Sequence, residues 1–315
     1  MGSFRLQALV AVLVAAVLGL TLSLPWLKTP VLLALSNGLA VLGVIVLIRA
    51  GQVSFGHAMF ACLAGYTVAA LGRGWHLDAL LLIALGTAGA ALAGAVIGVF
   101  MVRYRGIFFG MLNLAFSMVL FSVLGKFGGV TGGTDGLRFD RPGFGFVVME
   151  REGFETALLV LALALAVLAG WAVQRYFASV NGQALAAIKT NETRLEYLGI
   201  SAKRVFWGGY VLSATLCGLG GSLFALTQGL VTPDMGYWVR SGEVVFIAIL
   251  GGAGHALGAF IGAFVFEFVK LYAAALLTGA WQMALGLVLI VMVFVAPTGI
   301  FGLMERRLRG QGVRA

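Results

Sequence analysis

Long apolar stretches, separated by short polar or glycine-rich turns, run along almost the whole chain. A helix needs about 20 mostly apolar residues to cross the core of a lipid bilayer. Breaks at charged residues and at proline or glycine clusters therefore predict a series of membrane segments. These segments are Leu6–Leu24, Val31–Ile48, Gln52–Leu71, Ala79–Val102, Ile107–Leu124, Thr156–Val173, Val205–Leu226, Glu243–Leu250, Ala256–Leu277 and Trp281–Ala296.

The composition agrees with a lipid environment. Of the 315 residues, 61% are hydrophobic and only 10% are charged, whereas a water-soluble domain carries about 25% charged residues. The 46 glycines also fit, because small residues allow membrane helices to approach closely. The sequence therefore predicts an all-α polytopic membrane protein that forms a single domain over residues 1–315.

The net charge of +9 would indicate a nucleic-acid partner in a soluble protein, but here the basic residues lie at segment ends. They cluster in the turn Arg103–Arg105, in the segment 174–204 and in the tail 306–314. The positive-inside rule places such loops in the cytoplasm. Loops on the same side of a membrane are separated by even numbers of spans. The three basic regions meet this condition if Glu243–Leu250 crosses or dips into the membrane. We therefore expect about ten membrane segments in a bacterial inner membrane, with both termini cytoplasmic and no nucleic-acid partner.

Two of the segments are broken by glycine and polar residues, at 51–57 and at 251–255. Non-helical backbone at membrane depth is tolerated only where it is buried in protein or lines a cavity. Both breaks are therefore expected near a pathway or gate, although His57 could instead simply bond to nearby backbone. Glu267 and Lys270, three residues apart, are expected to form a structural ion pair. The pathway or gate candidates are Gln52, Ser54, Gly56, His57, Glu243, Gly251 and Gly252.

Two segments outside the membrane are long enough to have a role. The polar, glycine-rich loop at about 125–153 is predicted to be external, as is the turn Pro233–Glu243. The segment at about 178–204 is predicted to be cytoplasmic and to form two short amphipathic helices, Gln183–Lys189 and Glu192–Leu198. In this segment Asn191 is expected to be an N-cap, and Gly199 the C-terminal stop.

No motif for chemistry by this chain is present. The sequence lacks an ATP-binding loop of the form GxxxxGK[ST], an HExxH, a CxxC and a nucleophile elbow. The membrane segments also lack the cluster of carboxylates, histidines or cysteines that an embedded enzyme would need. We therefore predict neither catalysis nor a bound metal or cofactor. Energy for moving a solute would have to come from ions or from a partner subunit.

Six stretches, in the same order and at similar spacing, resemble the LivM-type permeases of branched-chain amino-acid ABC importers. Together they span most of the chain, and six matches in order are far more specific than one. The stretches are GQVSFGHAMFACLAGYT (51–67), RYRGIFFGMLNLAFSMVL (103–120), TGGTDGL (131–137), GQALAAIKTNETRLEYLGI (182–200), SGEVVFIAILGGAGHALGAFIGA (241–263) and PTGIFGL (297–303).

This resemblance implies a set of partners. It implies a homologous second permease in a heterodimer, two cytoplasmic ATPase subunits that use ATP and Mg²⁺, and an extracytoplasmic binding protein received by the external loops. The solute would be a branched-chain or other hydrophobic amino acid, with urea, short amides or aromatic acids as alternatives. A self-sufficient ion-coupled carrier or channel is the rival class. The residues that the resemblance assigns to ATPase coupling are Leu185, Ala186, Ala187, Ile188, Asn191, Glu192, Leu195 and Gly199.

Overall fold

The computed structural model describes residues 3–75, 77–145, 150–276, 281–295 and 299–303, and helices account for most of them. A pair of two-residue strands, β1 (Leu137–Arg138) and β2 (Leu230–Val231), is antiparallel, with Leu137 opposite Val231. The helices are α1 Ser3–Ser23, α2 Lys28–Arg49, α3 Ala58–Trp75, α4 Ala79–Met101, α5 Gly106–Lys126, α6 Gly128–Thr131, α7 Arg151–Ala178, α8 Val180–Ile188, α9 Glu192–Tyr197, α10 Ala202–Gln228, α11 Trp238–Gly251, α12 Ala256–Leu276 and α13 Trp281–Val295.

The predicted all-α membrane architecture is confirmed in its coarse form. Within the described residues, six helical stretches are long and apolar enough to cross a membrane: Pro25–Arg49, α4, α5, α7, α10 and α12. The predicted ends at Leu277 and Ala296, and the basic tail 306–314, lie outside the described residues.

Helix α2 forms the centre of the helix bundle. It is buried on every side between Val31 and Leu47, as expected for a helix that is apolar all round. Its main neighbours are α10, α12 and α7. The polar Ser36 is accommodated because its hydroxyl donates to the carbonyl of Leu32 at 2.8 Å.

Helices α4 and α10 pack through small residues at every fourth position. The repeat on α4 runs from Gly86 to Gly98. A Cβ atom on Gly94 would lie 2.3 Å from the Cβ of Ala214, and one on Gly218 would lie 2.3 Å from the Cβ of Ala90. Small residues at this spacing allow two membrane helices to approach almost backbone to backbone.

Helix α3 begins six residues later than the predicted segment Gln52–Leu71, because residues 52–57 are not helical. Gly51 has a φ of +72°, a left-handed conformation that glycine adopts at little cost. The Ser54 hydroxyl accepts the Gly56 amide at 3.3 Å. These local features end α2 and delay the start of α3 until Ala58.

Residues 229–237 do not form the external turn expected for Pro233–Glu243; they run down alongside α3. The segment therefore enters the bundle as a two-residue strand followed by a short 3-10 helix, Pro233–Gly236, and it packs against protein, as irregular backbone at membrane depth must. Ser117 on α5 helps to satisfy it by donating to the Gly236 carbonyl at 2.5 Å. In order along α3, the contacts are Val231 against Gly65, Gly236 against Cys62, and the Ser241 hydroxyl with the Ala58 amide.

The two sides of the bundle are distinguished by their connections. One carries the residues 127–145 and is called the loop side; the other carries α8 and α9 and is called the short-helix side. On the loop side, Lys28 Nζ lies 3.3 Å from a carboxylate oxygen of Glu152. Pairing of β1 with β2 ties the predicted external loop to the end of α10, so this loop is anchored to the bundle.

Candidate functional site

A narrow cavity lies between α2, α3, α10 and α11. Its volume is about 30 Å³, enough for a water molecule or two. It brings together His57 and Glu243, two candidates that are 186 positions apart in the sequence. The lining residues are Ser36, Asn37, Ala40, His57, Ala58, Ala61, Cys217, Gly220, Gly221, Phe224, Met235, Arg240, Glu243, Val244 and Ile247.

His57 is held inside the bundle at the start of α3, with 1% of its surface exposed. Its Nδ1 lies 2.5 Å from the Ser54 hydroxyl, and the rings of Phe60 and Tyr210 pack edge-on against the imidazole. Its Nε2 is buried and has no hydrogen-bond partner among the described residues. A buried nitrogen without a partner is costly, and here it belongs to a side chain that lines a cavity.

Charged and amide side chains from three helices meet beside this cavity, and Asn37, Arg240 and Glu243 line it. On α11, Arg240 forms an ion pair with Glu243. On α12, Lys270 Nζ lies 4.0 Å from the same Glu243 carboxylate, and Glu267 accepts a 2.5 Å hydrogen bond from the Asn37 side chain of α2. We call Asn37, Arg240, Glu243, Glu267 and Lys270 the charged cluster.

The expected pairing of Glu267 with Lys270 is therefore only part of a larger arrangement. Lys270 and Arg240 both lie close enough to attract the Glu267 carboxylate, but Lys270 also reaches Glu243 on the neighbouring helix. Sequence spacing along α12 could identify the first interaction. It could not identify Asn37 or Arg240, because these residues come from helices far away in the chain.

Other candidates from the first break face α5. The Gln52 side-chain oxygen accepts the Gly106 amide at 2.6 Å, and a Cβ atom on Gly56 would lie 2.0 Å from the Asn113 carbonyl oxygen. The Asn113 side chain in turn accepts the Tyr210 hydroxyl at 2.7 Å. These contacts join the beginning of α3 to α5 and α10, and sequence reasoning identified neither Asn113 nor Tyr210.

Gly251 and Gly252 lie at the opposite end of α11 from the charged cluster and do not line the cavity. A Cβ atom on Gly251 would lie 1.9 Å from the Gly258 carbonyl oxygen, and one on Gly299 would lie 2.4 Å from the Gly252 Cα. The second break is therefore a place where three backbones pack closely. Its role at a gate stays a prediction.

The segment 178–204 folds as two short helices, as predicted, in α8 and α9. The Asn191 side chain accepts the Arg194 amide at 3.0 Å, which confirms the N-cap. Gly199 has a φ of +78°, as expected of a residue that ends a helix. The local sequence signals therefore identified these helices correctly.

The apolar sides of these helices face the chain itself. Leu185, Ile188 and Leu195 are all buried, and Leu185 packs against Gly209 of α10. Since these three side chains are covered, they cannot form the surface that meets another protein. The other coupling candidates are less covered: half-buried are Ala186, Ala187 and Glu192, and exposed are Asn191 and Gly199.

Three apolar side chains on the short helices point outward instead. Val180, Tyr197 and Leu198 are 75%, 87% and 74% exposed, respectively. We call these residues the exposed apolar surface. Sequence reasoning did not single out this surface, because it assigned the apolar side of each helix to a partner.

Two further contacts connect the short helices to the segments that precede α5 and α3. Arg105, just before α5, forms a two-pronged ion pair with Glu192 at 2.9 and 3.2 Å, and its guanidinium lies 4.4 Å from the centre of the Phe206 ring. Lys189 packs on Gly51 at the first break. Movement of the short helices would therefore act directly on α5 and on the segment before α3.

Replacing Glu192 with glutamine is expected to loosen α9. The pair is partly exposed, so its loss should cost about 1 kcal/mol, equivalent to roughly fivefold faster opening. Hydrogen–deuterium exchange of the detergent-solubilised chain would measure this over Glu192–Tyr197. Glu196→Gln, an exposed carboxylate on the same helix, is the matched control. Equal exchange in both variants would show that the Arg105–Glu192 pair does not hold α9 in place.

Together these features define a multi-pass membrane protein in which the first broken segment borders a small cavity that charged side chains also line. The chain belongs to the family described as branched-chain amino acid transport system / permease component, whose model matches residues 29–296.

Comparison with curated proteins finds relatives of the same kind. The chain is 27% identical over 234 residues to the high-affinity branched-chain amino acid transport system permease protein LivM of Escherichia coli K12 (68% of this chain, 55% of the relative). It is 26% identical over 290 residues to LivM of Salmonella typhimurium (82% and 66%). It is also 28% identical over 256 residues to the autoinducer 2 import system permease protein LsrC of Enterobacter sp. 638 (78% and 68%).

The aligned parts thus span about half to two thirds of the length of the two LivM proteins. No solved structure gives a significant match to the chain.

Proposed function

We propose that this chain is the membrane-spanning permease subunit of an ATP-driven importer for branched-chain or other hydrophobic amino acids. The observation that carries the proposal is the cavity at the first break, which is linked through Gln52 and Arg105 to the short helices. A permease driven by a partner needs both a solute-facing site and a surface that receives mechanical input. The family and the printed names of the LivM relatives support this solute class.

The proposed topology has ten membrane segments, formed by α1–α5, α7 and α10–α13, with both termini cytoplasmic. The basic residues Arg103, Arg105 and Lys189 lie on the short-helix side. The positive-inside rule therefore supports a cytoplasmic position for that side in a bacterial inner membrane. The loop side is then external.

The proposed partners follow from this orientation. Two ATPase subunits, which use ATP and Mg²⁺, would sit beneath the complex, and one would contact the exposed apolar surface on α8 and α9. A second, homologous permease would complete the pathway, and this chain itself would bind no cofactor. An external binding protein would deliver the solute to the loop side, where residues 125–145 and 150–153 offer both signs of charge.

Reconstitution of the chain with its partner subunits in proteoliposomes tests the proposal. With a binding protein supplied outside and ATP inside, the vesicles are expected to accumulate leucine, isoleucine or valine, and to stop when ATP is omitted. Accumulation of urea, a short amide or an aromatic acid instead would contradict the solute class. Uptake by this chain alone in ATP-free vesicles would contradict the importer itself and favour an ion-coupled carrier or channel.

A further inference from the structure

We propose that the charged cluster is a transient binding subsite for the zwitterionic head group of the transported amino acid, with Glu243 taking the ammonium and Arg240 and Lys270 taking the carboxylate. This inference rests on the proposed function and deepens it. It assigns to the permease itself a site that recognises the part of the solute that all amino acids share.

The charges of this cluster lie on helices of the bundle. Lys270 and Glu243 lie within helices of the bundle and remain partly reachable from outside the chain, with side-chain exposures of 29% and 15%. A charged group facing hydrocarbon is expensive, so such groups face protein or a water-filled cavity. On α11 the neighbouring Phe246 and Ile249 are also exposed. We therefore infer that this face of α11 borders the pathway that the two permeases enclose.

The cavity also contains a buried polar atom, His57 Nε2, whose hydrogen-bonding capacity no described residue uses. The Nε2 of His57 has no partner among the described residues, and His57 lines the cavity together with Glu243 and Arg240. A polar ligand that entered this cavity would give Nε2 a hydrogen-bond partner. The remaining wall includes Phe224, Met235, Val244 and Ile247, an apolar surface suited to a branched hydrocarbon side chain.

The chemistry of entry is an exchange of ion pairs. In this structure the Arg240–Glu243 pair is closed. A zwitterion that separated the two side chains would offer its ammonium to the Glu243 carboxylate and its carboxylate to the Arg240 guanidinium. One ion pair within the protein is broken and two contacts to the zwitterion are formed, while the net charge of the site stays the same; the new contacts offset part of the cost of taking the zwitterion out of water.

Entry also requires the cavity to widen, because its present volume of about 30 Å³ accommodates only water. Helix α11 is the element best placed to move. It has 14 residues, follows a segment made of a two-residue strand and a short 3-10 helix, and is followed by Gly252, where φ is +96°. A short helix with irregular backbone at both ends can shift without bending a long membrane span.

Neutralising Glu243 is the first test. In the reconstituted importer, Glu243→Gln is expected to lower leucine uptake per ATP hydrolysed by at least about tenfold, the effect of losing one charge-assisted hydrogen bond to the solute. Glu155→Gln is the matched control, because it removes an acidic partner from the exposed Arg151–Glu155 pair on α7. Equal uptake per ATP in the Glu243 variant and wild type would overturn the subsite.

A charge swap separates solute binding from structural pairing. The double variant Arg240→Glu/Glu243→Arg restores an ion pair between the same two positions but reverses its polarity. The swap is made in a Lys270→Gln background, because Lys270 would otherwise repel the new arginine at position 243; a purely structural pair then predicts that the swap recovers uptake per ATP relative to Glu243→Gln in the same background, and that result would overturn the proposal. A binding site predicts that the loss persists, since the ammonium now meets a cation.

These experiments distinguish a wrong subsite from a wrong proposed function. If wild-type complexes import leucine and both cluster variants do so equally well, the function stands and the subsite is wrong. If wild-type complexes import only a solute without a zwitterionic head group, the amino-acid function is wrong and the proposed ligand falls with it.

Discussion

Replacing Gly221 with alanine is expected to destabilise the folded chain by about 3 kcal/mol. A Cβ atom at this position would lie 2.2 Å from the Ala61 carbonyl oxygen and 2.5 Å from its Cα, so the new methyl group meets the backbone of α3. Backbone cannot turn aside as a flexible side chain can, which places the cost at the upper end of overpacking effects. For a chain of this size the thermal midpoint should fall by roughly 5 °C, as measured by size-exclusion chromatography after heating in detergent.

Replacing Gly208, which lies on α10 like Gly221, is expected to cause no such loss of stability. A Cβ atom there would have no neighbour within 4 Å, and alanine is a better helix former than glycine by up to about 1 kcal/mol. Gly208→Ala should therefore leave the midpoint unchanged or raise it. A fall of the same size in both variants would show that glycine is needed along α10 for a reason other than contact with α3.

Replacing both Tyr197 and Leu198 with aspartate is expected to abolish binding of the ATPase subunit while leaving the permease folded. The two side chains are almost fully exposed, so the substitution disturbs no internal packing, but it puts two charges into the centre of the proposed apolar contact. Desolvating an unpaired charge at an interface is strongly unfavourable. Co-purification with the ATPase and ATP hydrolysis stimulated by the complex are the measurements.

Two further variants make this result specific. Val130→Asp changes an apolar residue that is 78% exposed on the loop side, and it should leave ATPase binding intact. Leu185→Asp, by contrast, introduces a charge at a fully buried position and should lower the yield of folded chain itself. If the Tyr197/Leu198 variant still binds the ATPase normally, the exposed apolar surface is not the coupling surface, and the proposed docking mode is wrong.

The candidate site illustrates how far sequence reasoning could proceed. The break at 51–57 was recognisable because glycine and polar residues interrupted an apolar stretch, and the structure leaves the same residues non-helical. The chemistry next to it was less visible. Asn37 and Glu267 are in hydrogen-bond contact although 230 positions separate them, and a single half-buried asparagine carries no local pattern that indicates its partner.

In the short helices, too, the sequence predicted local structure correctly but could not predict which surface the helices pack against. Asn191 and Gly199 predicted where α9 begins and ends, because helix caps depend on side chains and backbone within a few residues. The pattern also predicted that Leu185 and Ile188 share one side of a helix. It could not say whether that side meets α10 of the same chain or another protein, since both apolar environments produce the same periodicity.

The sequence by itself therefore determined that this chain is helical, belongs in a membrane, and carries breaks at 51–57 and 251–255, because hydropathy, segment length and backbone preference are local properties. Only the tertiary structure decided that 229–237 descends along α3, that Glu243 meets Lys270, and that Gly221 tolerates no side chain whereas Gly208 does. These outcomes depend on which helices become neighbours. That choice is made by packing between residues far apart in the chain, where small side chains permit close approach.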